Sequence, residues 1–396
     1  MFAKMVMAPA DPILGLTDAF KKETNRNKVN LGVGVYKDAS GQTPVFTSVK
    51  KAEAILLKEQ KTKGYLPITG DAAYGTAVQK MLFGQSSDLV GTGKAATAHT
   101  PGGTGALRVA GDFFHVNFPQ STLWLSNPTW ANHNAIFAAA GVETKQYNYY
   151  DACNKALDFD ALLASVNEIP KGDIILLHGC CHNPTGVDPS AEQWATLADA
   201  IKAKGIFPLF DFAYQGLAKG IEEDAIGLRL FISKGIDLAI CSSFSKNFSL
   251  YCERVGSITL LTQDAQVTAN AFSHIKIAIR RNYSNPPSHG GAVVATILND
   301  DALKAEWENE VADIRNRIAE MRELFVATLK AKGATGDFSF ITSQNGMFSF
   351  SGLTKEQVNA LKSQHAIYIV GSGRINVAGL TADNIDATCE AIAAVL

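Results

Sequence analysis

The stretch SSFSKNFSLYCERVG (242–256) sets Lys246 among Ser243, Ser245 and Ser249, with Arg254 eight residues further on. A lysine amine can attack a carbonyl and carry a proton, and hydroxyls beside a guanidinium make an anion site. An unpaired ammonium is costly away from water, so a lysine after an apolar run is a surface turn unless something partners it. Three other stretches bring complementary groups. One is Asn127-Pro128-Thr129-Trp130, then His133; another is His182-Asn183-Pro184-Thr185-Gly186; the third is Asp211 followed by Tyr214. Finally, GGTGALRVAGDFF (102–114) is a glycine-rich turn entering a helix, where backbone N–H groups and the helix dipole favour an anion.

Each of these groups follows an apolar run of strand length. STLWLS (121–126), GDIILLHG (172–179), GIFPLFDFA (205–213), DLAICSS (237–243) and GSITLL (256–261) all read as buried strands. Between them lie helical patterns such as SAEQWATLADAIKAKG (190–205), with Ser190 as N-cap and Gly205 as the stop. Such alternation predicts an α/β fold, a mainly parallel sheet covered on both faces. Ligands of such sheets bind outside the carboxyl ends of the strands, where the reactive groups fall. The last quarter differs. Val311, Ile314, Ile318, Met321 and Phe325 predict one long amphipathic helix ending near Gly333, and short apolar runs then predict a small α+β domain. The expected organisation is an N-terminal segment (1–43) packing on the small domain, a large domain (44–312) and the small C-terminal domain (313–396).

The 396 residues are 46% hydrophobic and 19% charged, enough to bury a large core. The net charge of −2 offers no long-range attraction to nucleic acid or to an anionic membrane. Neither is therefore expected as a partner. The six cysteines are scattered, and Cys180 and Cys181 are adjacent, which suits a reducing compartment better than a disulfide framework. With no signal-peptide core and no apolar stretch of spanning length, the expected location is the cytoplasm.

Two common phosphate motifs are excluded. GxxxxGK[ST] is missing, and GVGVYKD (32–38) lacks the third glycine of a dinucleotide fingerprint. His178 and His182 around Cys180-Cys181 suggest zinc, but adjacent cysteines chelate a tetrahedral ion poorly. A phosphate pocket (with Ser243, Ser245 and Arg254 as donors), a lysine, an aspartate and a tryptophan are what pyridoxal 5′-phosphate requires. The lysine condenses with its aldehyde, the aspartate keeps its ring nitrogen protonated, and the indole stacks on the ring.

HGCCHNPTG, DFAYQG, SFSKNFSLYCERVG, RRNYSNPP and GSGRINVAG stand here in the order found in the class I pyridoxal-phosphate-dependent aminotransferases, and the chain resembles that family's aspartate/aromatic branch from about Asp11 to its C-terminus. The resemblance implies the type I fold of the pyridoxal-phosphate-dependent transferases and a homodimer with shared active sites. It also implies ping-pong transfer of an amino group between L-aspartate and 2-oxoglutarate. Lys246 would be the cofactor lysine and proton shuttle, and Asp211, backed by His133, would face the ring nitrogen. Asn183 and Tyr214 would contact the ring oxygen, and Trp130 would stack. Gly103, Thr104, Ser243, Ser245 and Arg254 would hold the phosphate, with Tyr65 reaching in from the neighbouring subunit. Arg374, helped by Asn183 and the Gly34 backbone, would bind the substrate's α-carboxylate. Arg280 of the other subunit would take the distal carboxylate.

Some positions depart from the aspartate pattern. Ser249, Cys252, the doublet Arg280-Arg281 and GYLP (64–67) lean toward the aromatic branch. Val35, Lys37, Thr43, Thr104 and Asn285 lean toward aspartate and weigh more because they line or flank the pocket. Aromatic amino acids are the alternative substrates. A β-lyase or decarboxylase of the same fold is disfavoured by paired Arg280 and Arg374.

Overall fold

The computed structural model describes residues 2–8 and 14–396. Within it the chain forms two compact units, Pro44–Asn316 and Met1–Thr43 with Arg317–Leu396. The helix Asp301–Ala331 contributes residues to both.

The larger unit is built on a seven-stranded sheet. In chain order its strands are β1 (Ala95–Pro101), β2 (Leu123–Asn127), β3 (Thr144–Asn148), β4 (Ile174–His178), β5 (Phe207–Phe212), β6 (Leu238–Ser243) and β7 (Val255–Leu261). The order across the sheet is β1-β7-β6-β5-β4-β2-β3. The pairs from β6 to β3 are parallel, whereas β7 is antiparallel to both of its neighbours. The predicted mainly parallel α/β sheet is therefore present, with one reversed strand. Every residue of β4, β6 and β7 is buried, as continuous apolar runs require of strands covered on both faces. β1 and the edge strand β3 were not anticipated, because AATAHTP and TKQYN contain no apolar run.

Helix α1 (Gly102–Asn117) and the helix Ala265–Asn282 pack one side of the sheet through Ala106, Val109, Phe113, Phe272, Ile275 and Ile279. The helix Ala191–Lys204 starts and stops where its sequence indicates. Ser190 and Gln193 form a capping box, and Gly205 closes it at φ 65°.

Register decides where the chemistry lies. His178 pairs with Asp211, and Asp211 with Cys241, so β4, β5 and β6 end together. The reversed β7 begins at that same edge, where Gly256 faces Ser243 on one side and Thr100 on the other. Gly256 has no alternative residue there. A Cβ would stand 2.4 Å from the Gly102 carbonyl carbon and 2.7 Å from Ser242 O.

In the smaller unit Val29–Asn30 pairs in parallel with Ile367–Tyr368, and Phe348–Phe350 pairs antiparallel with Arg374–Asn376. Among the described residues no helix is long and apolar enough to cross a membrane.

Candidate active site

Asp211 lies near the end of β5 and is 8% exposed. Its Oδ2 accepts a hydrogen bond from His133 Nε2 at 2.9 Å, and Oδ1 takes none from the described residues. Burial acts to raise its pKa, but the His133 hydrogen bond and the positive charge of Lys246 outweigh it, so the carboxyl is held below its usual range. It is an anion at neutral pH.

Behind Asp211 runs a chain of hydrogen bonds whose direction can be assigned. Burial, with His133 adding to it, pushes His178 down to about 3, leaving a neutral ring. Its Nδ1 accepts the Asn183 N–H at 3.5 Å, so Nε2 carries the hydrogen and donates to Thr129 Oγ1 at 3.3 Å. Thr129 in turn donates to His133 Nδ1 at 2.8 Å, which leaves the His133 Nε2–H for Asp211. The backbone of Asn183 is thereby connected to the carboxylate of Asp211 through two imidazoles and a hydroxyl.

Lys246 is half-buried in the turn after β6, with Nζ 4.7 Å from the centre of the buried Tyr214 ring. The turn is braced on several sides. Trp307 Nε1 donates to Asn247 O at 2.7 Å, Asn247 Nδ2 donates to Gln215 O at 3.0 Å, and Phe248 stacks on Trp307 at 4.5 Å. Ser249 has φ 53°, a left-handed conformation that suits glycine better. Its hydroxyl donates to Pro44 O at 2.6 Å, a contact glycine cannot make.

At the other end of the same edge is an anion cradle. Ser243 Oγ donates to Ser245 Oγ at 3.2 Å, and Arg254 Nη1 donates to Ser245 Oγ at 3.3 Å. The two hydroxyls hold two hydrogens and use one between them, so a buried O–H is left without an acceptor among the described residues. Helix α1 begins alongside, and its N-cap Pro101 supplies no side-chain acceptor to the first N–H groups. Gly102 sits at φ 73°, where a Cβ would be 2.4 Å from Arg254 Nη2, and a Cβ on Gly103 would be 3.0 Å from Ser243 Cβ. Thr104 follows on the first turn, partly exposed. Guanidinium, hydroxyl and uncapped N–H groups thus meet at one point, and each has a hydrogen to offer an anion.

Trp130 is half-buried with its ring edge-on to His133 at 5.2 Å, and Asn183 is 5% exposed. The large unit therefore brings eleven of the expected residues to one sheet edge: Trp130, His133, Asn183, Asp211, Tyr214, Lys246, Ser243, Ser245, Arg254, Gly103 and Thr104. Tyr65 and Arg280 stand apart. Tyr65 is 95% exposed, and the exposed Arg280 donates to Ser284.

In the smaller unit Arg374 is 4% exposed, donates from Nη2 to Gly32 O at 2.7 Å, and lies 4.1 Å above the Phe348 ring. Gly34 touches the same ring, where a Cβ would come within 2.6 Å of Phe348 Cζ. Phe348 is fixed by the buried Arg322, which donates to Phe348 O at 2.7 Å and to Ile341 O at 2.9 Å.

Sequence reasoning did not assign Thr129, His178, Asn247, Trp307 or Arg322. The first two share the post-strand motifs with assigned residues, a signal that could have marked them. Asp224, which lies within 4.8 Å of the Cys180 and Cys181 sulfurs, accepts from the N–H groups of Gly216, Ala218, Lys219 and Gly220. Its carboxylate is committed to that loop.

Residues 26–392 match the model of the family Aminotransferase class I and II. The chain is 58% identical, over the full length of both, to the aspartate aminotransferase of Escherichia coli (strain K12). It is 45% identical to the aromatic-amino-acid aminotransferase of Pseudomonas aeruginosa, across 100% of this chain and 98% of that one. Its fold matches, with a TM-score of 0.97 and 47% identity, the crystal structure of the aromatic-amino-acid aminotransferase from Burkholderia pseudomallei covalently bound to pyridoxal phosphate, covering 100% of this chain and 99% of that one.

Proposed function

The chain belongs to the class I and II aminotransferases, and on that premise we propose that it is an aspartate aminotransferase. It moves the amino group of L-aspartate to 2-oxoglutarate in two half-reactions, giving oxaloacetate and L-glutamate, with pyridoxal 5′-phosphate as cofactor. The observation that carries this reading is the pairing at one sheet edge of a buried carboxylate anion, Asp211, with a donor-rich cradle of the Ser243 and Ser245 hydroxyls and the Arg254 guanidinium. Those two ends match a protonated ring nitrogen and a phosphate, and Lys246 follows the same strand as the cradle.

Bound there, pyridoxal 5′-phosphate supplies an aldehyde that condenses with amines and a ring that takes up the electrons released when the substrate Cα–H bond breaks. The protein does the rest. Lys246 would anchor the cofactor's aldehyde carbon and would carry the proton at the substrate Cα. Asp211, kept anionic by its hydrogen bond from His133, keeps the ring nitrogen protonated. Asn183 and Tyr214 would hydrogen-bond the ring oxygen, and Trp130 would cover a ring face. The backbone of Gly103 and Thr104, the hydroxyls of Ser243 and Ser245 and the guanidinium of Arg254 would bind the phosphate.

Arg374, with the backbone of Gly34, would take the substrate's α-carboxylate. The exposure of Tyr65 and Arg280 fits residues that serve a neighbouring subunit, and a homodimer with shared sites is part of the proposal. Tyr65 would reach the phosphate, and Arg280 the distal carboxylate. A guanidinium at each end orients a short dicarboxylate by bidentate bonds. We place the protein in the cytoplasm, the reducing compartment its cysteine pattern suits.

Aromatic amino acids are the second reading, favoured by Ser249 and by the likeness to aromatic-amino-acid aminotransferases. The test is kcat/KM for aspartate and phenylalanine with 2-oxoglutarate, on protein loaded with pyridoxal 5′-phosphate. Aspartate should be the better substrate. Failure to form oxaloacetate would refute the proposal, and a preference for phenylalanine would select the second reading.

A further inference from the structure

Strands β2 and β4 pair only at Leu123–Ile174 and Trp124–Ile175. Beyond Trp124 their ladder ends, and the loops that follow carry Trp130 on one side and Asn183 on the other. The side chain of His182 crosses this opening. It is 1% exposed, with Nε2 2.9 Å from Ser126 Oγ and Nδ1 2.8 Å from Thr185 Oγ1. Ser126 gives its one hydrogen to Pro128 O at 2.9 Å, so Nε2–H is the donor to Ser126. Thr185 accepts the Val187 N–H at 3.2 Å and gives its own hydrogen to Nδ1.

Each donor in this set meets an acceptor, and only the Nε2–H tautomer allows it. Tyr149 stacks on the ring at 4.0 Å and 14°, and the His178 ring lies 4.1 Å away. Asp188 accepts the His182 N–H at 2.9 Å, which fixes the backbone as well. An imidazole held so completely, yet buried, bridges two loops where the backbone does not.

We propose that His182 is a positioning residue that sets the spacing between the Trp130 loop and the Asn183 loop. It thereby sets the width of the slot that receives the cofactor ring. The inference rests on the reading above, in which Trp130 and Asn183 contact that ring, and adds to it a residue that touches neither cofactor nor substrate. Its effect reaches the ring through Ser126 and Pro128 on one side and through Thr185 on the other. A ring neighbour such as His178 depends on it too, because both imidazoles share the same gap.

Two substitutions separate positioning from packing. His182→Phe keeps a flat ring between Tyr149 and His178 but removes both hydrogen bonds. His182→Gln keeps one donor and one acceptor. The measurements are the Kd for pyridoxal 5′-phosphate added to cofactor-stripped protein, the pH midpoint of the visible absorbance, and kcat and KM for aspartate. His182→Phe should weaken cofactor binding about tenfold to a hundredfold, the scale of leaving buried hydrogen-bonding groups unpaired. It should also move the absorbance midpoint and lower kcat more than it raises KM. His182→Gln should recover most of the loss.

A lowered melting temperature with unchanged Kd and midpoint would assign His182 to packing alone and overturn the proposal. If His182→Phe does not fold, Ser126→Ala and Thr185→Val each remove one of the two ring contacts. Each should weaken cofactor binding by about fivefold, and unchanged Kd and midpoint in both would again overturn it. A wild-type protein that takes up no pyridoxal 5′-phosphate would instead overturn the functional reading and this inference with it.

Discussion

The two ends of the sheet edge solve opposite problems. Around Asp211 a directed chain through His133, Thr129 and His178 supplies a donor to one carboxylate oxygen and leaves the other, Oδ1, open among the described residues. Around Ser245 donors predominate, and among the described residues one hydroxyl hydrogen has no acceptor and no side chain caps the first N–H groups of the helix. A buried polar group without a partner costs stability, so natural interiors seldom keep one without a reason. The contrast teaches how the ligand is divided between them. The Asp211 end is preorganised to hold one charge state, whereas on the proposed function the Ser245 end would be completed by the phosphate of the cofactor.

The sharpest way to break this contrast is to remove the amine between its ends. Lys246→Ala should fold normally and lose turnover by at least about a thousandfold, since both covalent anchor and proton carrier go. Steady-state rates beside a circular dichroism spectrum would check this. Retained turnover would mean that the lysine stands outside the chemistry.

Next comes the preorganised end. Asp211→Ala should slow Cα–H cleavage by about a hundredfold or more, chiefly in kcat, and Asp211→Glu should recover part of it. Single-turnover measurement of deuterium exchange at Cα reads this step. Wild-type exchange in Asp211→Ala would end the argument that the anion acts on the cofactor ring.

The donor end should behave differently, because its role is to bind. Arg254→Ala should raise the Kd for pyridoxal 5′-phosphate about tenfold to a hundredfold, on the scale of a charge-assisted hydrogen bond. Non-phosphorylated pyridoxal should lose much less. Titration of both compounds into stripped protein is the check, and equal losses would move the phosphate elsewhere.

Arg280→Ala extends the comparison to the exposed residues. It should lower kcat/KM for aspartate about tenfold to a hundredfold while phenylalanine changes little. If the site is shared, mixing Arg280→Ala with Lys246→Ala should restore part of the aspartate activity after subunit exchange. Proven hybrids with no recovery would count against a shared site.

The last effect is on stability and leaves the chemistry untouched. His178 and His99 are held to about 3 and about 4, chiefly by burial, from an ordinary value of 6.5. Their folded pKa lies below the unfolded one, so stability is complete above pH 6.5 and falls as the unfolded chain takes up protons below it. Each histidine contributes up to about 1.4 kcal/mol per pH unit over that window. Melting temperatures between pH 7 and 4 should drop, less steeply in His99→Gln. Identical slopes would exclude His99 from the effect.

How much of this could be read beforehand depended on what each residue does. β4, β5 and β6 were legible because a strand buried on both faces must be apolar throughout, and the reactive residues at their ends stood out against those runs. β1 was not, since its Thr97 and His99 are accommodated by neighbours distant in sequence. Lys246 and Asp211 were legible by type and position. His182 and Arg322 were not, because their value lies in contacts with Ser126, Thr185 and Phe348 that only the folded chain assembles. The left-handed Ser249 was noted as a departure, and its reason appeared only with the hydroxyl on Pro44 O.

The central claim is that the sheet edge holds pyridoxal 5′-phosphate on Lys246, with ring and phosphate at the two contrasting ends. Borohydride reduction of the cofactor-loaded protein, followed by proteolysis and mass mapping, tests it directly. One modified peptide is expected, carrying the reduced cofactor on Lys246. A stable adduct on any other lysine, or none at all, would contradict it.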